Sequence, residues 1–130
     1  MKKILMIVVF LATSLFASMN WVGELEDAYD KAESEHKIVM VILTQDHCPA
    51  CEYMENVVLK NNKVIKEFNK NFLAVNLNIR KDYVPLELKH FATPTIYFLD
   101  SDEKILERIN GYRNEKDFID ELKKVKTKFQ

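Results

Sequence analysis

Cysteine is nearly absent from this chain: Cys48 and Cys51 are the only two among 130 residues. Two thiols cannot build a framework of several disulfides, and they supply only half of the four ligands a structural zinc site takes. Charge of one sign is equally lacking. With 19 basic and 20 acidic residues and a formal net charge of −1, the chain carries no electrostatic footprint for nucleic acid. There is no internal repeat, low-complexity tract or linker, so a single folded domain is expected. No apolar run of about 18 residues follows the N-terminal segment, which leaves no second candidate for a membrane span. What is present is enough for a core, since 48% of the residues are apolar and 11% aromatic.

The first residues do not belong to that core. Lys2 and Lys3 precede the apolar run Ile4 to Leu11, and residues 12 to 18 are rich in small side chains. This is the order of a secretory signal peptide, with cleavage expected after Ala17 and a folded domain over residues 18–130. Retention of the segment as an anchor is the alternative, and no cysteine follows the expected cut for lipid attachment. Cleavage removes two lysines and no acid, leaving 17 basic against 20 acidic residues. Export also brings the two thiols into contact with oxidants and with the disulfides of other proteins.

Periodicity then sets out the elements. Leu25, Ala28, Tyr29 and Ala32 recur at helical spacing, predicting a helix over 24–36 with Trp21 packed near its start. Ile38 to Leu43 is an unbroken apolar run too short for a separate helix, so it reads as a strand covered on both faces, at the centre of a sheet. Pro49 suits a first helical position, and Met54, Val57 and Val58 predict the buried stripe of a helix over 49–60, with a shorter one over 62–69. A parallel strand is expected over 72–79, a helical turn or two over 85–91, and a β-hairpin from 95–99 and 105–109 around a polar turn. Gly111 breaks the pattern. Asn114 is placed to cap a last helix whose apolar face is Phe118, Leu122 and Val125. Tyr97, Phe98 and Phe91 read as core or sheet-face aromatics, and His36 and His90 as surface residues.

The segment that carries chemistry is Cys48-Pro49-Ala50-Cys51, which follows the central strand and opens a helix. Two thiols at this spacing can close a small disulfide ring and open it again. The loop so closed is too short to remove much unfolded-state entropy, which argues against a structural staple. Thr93-Pro94 stands at the head of a later strand, with Pro94 lying 43 residues after Cys51. In this element order the two motifs together resemble the thioredoxin family, in particular its exported single-domain members from bacterial envelopes, over residues 20 to 128. The resemblance implies an α/β thioredoxin-like fold, with a central mixed β-sheet flanked by helices on both faces. It also implies that Pro94 is cis and lies against the disulfide, and that Thr93 lends a backbone edge to the partner polypeptide. It implies periplasmic residence, no cofactor, a monomer, protein disulfide or dithiol substrates and a membrane-embedded electron donor. Four positions depart from the family pattern. Ile42 stands where thioredoxins carry a buried acid, His47 replaces the usual tryptophan, and Pro49-Ala50 replaces Gly-Pro.

At a helix N-terminus Cys48 is the expected nucleophile, because free N–H groups and the helix dipole favour its thiolate. Cys51, one turn further in, is the expected resolving thiol. His47, when protonated, can favour the Cys48 thiolate; the plain alternative is a loop histidine beside Asp46. Glu52 is a candidate for proton transfer to and from Cys51; the plain alternative is a solvated helix face. The activity expected is thiol:disulfide exchange, reducing or exchanging disulfides in envelope proteins. A disulfide oxidase or isomerase is the alternative within that class, and a Cu(I) or Zn²⁺ module that borrows the same thiols is the alternative outside it.

Overall fold

The structure is a computed structural model, and it describes residues 17–129. The expected signal segment therefore lies, except for Ala17, outside the described residues. The apolar run after position 37 forms β1 (Ile38–Thr44), and all seven of its residues are buried. Side chains alternate across a strand, so a strand buried throughout needs cover on both faces. Its neighbours are β2 (Phe72–Asn78) and β3 (Thr95–Leu99), and β4 (Ile105–Asn110) completes a sheet of order β2-β1-β3-β4. β1 and β2 are parallel, with Ile38 opposite Phe72, while β3 runs antiparallel to both β1 and β4. The sheet is mixed, with the expected strand at its centre.

Helix α1 (Leu25–Glu35) covers one face. Its Ala28 and Ala32 bring the backbone close to Val39, Val41, Leu43, Leu73 and Val75. On the other face lie α2 (Pro49–Asn56), α3 (Asn62–Asn69) and α4 (Glu115–Lys128). From these come Met54, Val64, Phe68, Phe118, Leu122 and Val125, which share a cluster with Met40, Ile42, Phe72, Ile96 and Phe98. Phe72 stacks on Phe68 at 5.2 Å between ring centroids and meets Phe98 edge-on at 5.7 Å. Each such ring removed from water stabilises the fold by roughly 2–3 kcal/mol. Asn114 caps α4 as its position predicts, its Oδ1 accepting from Asp117 N at 2.8 Å.

Several expectations are corrected. The helix over 49–60 ends at Asn56; the backbone breaks at Val57, and a separate 3₁₀ turn spans Val58–Lys60. Asn61 causes part of that break, because its side chain accepts from Lys63 N and Val64 N and so starts α3. Val57 is accordingly 45% exposed, whereas Met54 and Val58 are buried. The segment 85–91 makes one turn, closed by Leu88 N donating to Pro85 O, and continues without helix. Only Leu88 of this stretch reaches the core; Leu86 and Phe91 stand exposed, Phe91 with the Arg108 guanidinium 5.1 Å over its ring. Trp21 lies along β2 and is 45% exposed. Asn20 O accepts from Ala74 N and Val22 N donates to Ala74 O, both at 2.8 Å, so residues 20–22 run parallel to β2 on its outer side.

Candidate active site

The site forms where β1 ends. After Thr44 the chain must turn from the sheet into α2, and His47 absorbs the reversal with φ +57, in a left-handed region that histidine visits more often than most residues. His47 itself is exposed. Next to it, the Lys81 ammonium hydrogen-bonds Asp46 and holds that carboxyl below its usual range. Cys48 is the N-cap of α2, with Pro49 as the first helical residue, where its missing N–H costs nothing. Ala50 completes the turn that returns the backbone to Cys51. Cys51 N donates to Cys48 Sγ at 3.2 Å, a sulfur in the place usually taken by a capping oxygen.

Cys48 and Cys51 form a disulfide with their Cα atoms 5.2 Å apart. Cys48 is 6% exposed and Cys51 2%, so the outer sulfur is the one nearer to solvent.

The second half of the site comes from the loop before β3. The Thr93–Pro94 peptide bond is cis. Thr93 O and Thr93 Oγ1 each lie 3.4 Å from Cys48 Sγ. Two further hydrogen bonds hold this loop: Thr95 Oγ1 donates to Ala92 O, and Gly111 N donates to Pro94 O at 2.8 Å. The fold thus brings Cys48, Cys51, Pro49 and Ala50 together with Thr93 and Pro94. Gln45 joins them unannounced, its Nε2 donating to Thr93 Oγ1 at 3.0 Å. In the sequence Gln45 is one more polar residue in a turn, and only its position three before Cys48 sets it apart.

Ile42 is fully buried in the cluster that holds Met54 and Ile96. Glu52 points to solvent, whereas Glu55, four residues after Cys51 and hence on its side of α2, is partly covered. Glu55 Oε1 accepts from Asn76 Nδ2 and Asn76 Oδ1 accepts from Thr44 Oγ1, both at 2.8 Å, so a polar chain links α2, β2 and β1. His36 ends α1 in a left-handed conformation and meets Phe129 at 4.8 Å, while His90 is exposed. Among the described residues no three His, Cys, Asp or Glu side chains converge in a way that could hold a metal ion. Nor is any described helix long and apolar enough to cross a membrane.

The family model of the thioredoxin-like domain matches residues 25–126. Thiol:disulfide interchange protein DsbD of Tatumella citrea is 29% identical over 117 residues, which cover 85% of this chain and 20% of that protein. The chain thus spans about one fifth of the length of this curated relative. Among solved structures, a thioredoxin from Thermus thermophilus superposes with a TM-score of 0.71 at 25% identity, covering 86% of this chain and 90% of that one. The oxidised C-terminal domain of Neisseria meningitidis DsbD superposes with a TM-score of 0.62 at 23% identity, covering 77% and 91%, a likeness of fold.

Proposed function

Because this chain belongs to the thioredoxin-like domain family, as a thiol:disulfide oxidoreductase with a Cys48–Cys51 pair, we propose that it reduces or exchanges disulfides in envelope proteins through a mixed-disulfide intermediate. The observation that carries this reading is the position of Cys48 Sγ, at the N-cap of α2 and 3.4 Å from Thr93 O and Oγ1. At that point the sulfur receives a backbone N–H and the positive end of a helix, both of which favour a thiolate.

In the reduced protein the Cys48 thiolate attacks one sulfur of a substrate disulfide. An S–S bond to Cys48 forms as the substrate bond breaks, and the departing substrate thiolate takes a proton from water. Cys51 then loses its proton and attacks Cys48 Sγ, which releases the second substrate thiol and leaves the Cys48–Cys51 disulfide. The substrate gains two electrons and the protein loses two. Returning the protein to its dithiol form requires a donor, and the match to a DsbD protein supports one embedded in a membrane. The leader-like residues 1–17 support work in the periplasm.

Trapping tests the reading. Cys51→Ala should accumulate covalent adducts with partner proteins that dithiothreitol releases, while Cys48→Ser should form none. Absence of adducts from a reduced, folded Cys51→Ala protein would sink the exchange reading. Equilibration with glutathione then settles direction: a potential near that of thioredoxin fits a reductant, and one near the most oxidising envelope proteins assigns an oxidase.

A further inference from the structure

We infer that Gln45 is a positioning residue that turns the Thr93 hydroxyl proton toward Cys48 Sγ, and so sets the pH at which the attacking thiolate forms. The inference rests on the exchange reading above and names the device that tunes it.

A threonine hydroxyl has one proton and two lone pairs. Gln45 Nε2 can only donate, so at 3.0 Å from Thr93 Oγ1 it occupies a lone pair and leaves the hydroxyl proton free to point elsewhere. Cys48 Sγ, 3.4 Å from the same oxygen, carries no proton in the disulfide and can only accept. One orientation therefore satisfies all three groups: amide to hydroxyl, hydroxyl to sulfur.

The consequence appears on reduction. Around Cys48 stand two groups that stabilise a thiolate, Cys51 N at 3.2 Å and the Thr93 hydroxyl, and one that stabilises the protonated thiol, the Thr93 carbonyl at 3.4 Å. The peptide groups are fixed by the backbone. The hydroxyl alone can rotate, and its direction follows from whether its other partner donates or accepts. Gln45 comes from the end of β1 and Thr93 from the loop before β3, so this bond also spans the two halves of the site.

The test is the rate of alkylation of reduced Cys48 by iodoacetamide against pH, in a Cys51→Ala background so that one thiol reports. Gln45→Leu removes the donor that orients and polarises the hydroxyl but leaves its proton free to reach the thiolate, so it should raise the midpoint by only about a few tenths of a pH unit. Gln45→Glu, nearly isosteric, offers an acceptor that takes the hydroxyl proton and turns a lone pair on the sulfur, and should raise it further. A carboxylate also acts on the thiolate directly through its charge, so the same substitutions are repeated with Thr93→Val. There the Gln45→Leu shift should vanish and the Gln45→Glu shift should shrink. Equal midpoints for all three residues at position 45, or shifts that persist undiminished without the Thr93 hydroxyl, would overturn the inference. The titration needs no substrate, so its failure is separate from a failure of adduct trapping.

Discussion

Gly111 N donates to the carbonyl of Pro94 at 2.8 Å, tying the turn after β4 to the loop that presents Thr93 to Cys48. Gly111 adopts φ +84, and a Cβ built there meets no heavy atom within 4 Å. Its requirement is therefore conformational and not steric. Gly111→Ala should lower stability by about 1 kcal/mol, read from the urea midpoint, without disturbing neighbouring side chains. A loss several times larger would mean that the turn moves and takes the Pro94 loop with it.

Ile42 occupies the position where the family resemblance leads one to expect an acid, and it is sealed in the core. An Ile42→Asp carboxyl placed there would be desolvated, which raises its folded-state pKa above the unfolded value near 4. A raised pKa contributes its stability at low pH and loses it as pH climbs through the folded value. Destabilisation should thus grow between pH 5 and pH 8, by roughly 3 kcal/mol for a full desolvation shift, on top of the lost apolar contacts. Chemical denaturation at both pH values checks this, and equal losses would show that water reaches the site.

Asn76 is the middle of the polar chain from Thr44 to Glu55. Thr44 is 5% exposed, so Asn76→Leu strands a buried hydroxyl without its acceptor and should cost about 1–3 kcal/mol. Adding Thr44→Val removes the stranded group and should restore part of that loss. A strictly additive double variant would deny the coupling.

Tyr29 has its phenol pushed up to about 12, first by burial and then by the charges of Glu103, Asp100 and Glu87. Because the folded value exceeds the unfolded one near 10, its contribution to stability is complete below pH 10 and declines as pH rises toward 12. Ultraviolet titration of the phenolates should include a late step near pH 12 from Tyr29. Tyr29→Phe should remove that step and flatten the alkaline loss of stability.

Much of this architecture is legible in the residues themselves. The run Ile38 to Leu43 has a single reading as a strand covered on both faces, and Asn114 announces a helix start by its capping chemistry. The cysteine spacing and Thr93-Pro94 mark both halves of the site because they are local motifs. What escapes reading depends on contacts between distant segments. Val57 looks like a core residue until Asn61 restarts the helix. Pro85 to Phe91 lacks the spacing that would bury one face, and a single proline made a helix plausible there. Gln45 gains its role only from a partner 48 residues away.

The alignment of Asn20 to Val22 with Ala74 has a bearing on how the protein behaves when crowded. Backbone amides on the outer flank of β2 are already engaged by the chain's own upstream residues, so another molecule finds fewer free groups there on which to add a strand. At the opposite flank β4 carries Glu107 and Arg108, with Lys124 and Lys128 gathered on the glutamate. Charges so placed discourage a second copy from docking backbone to backbone along the sheet.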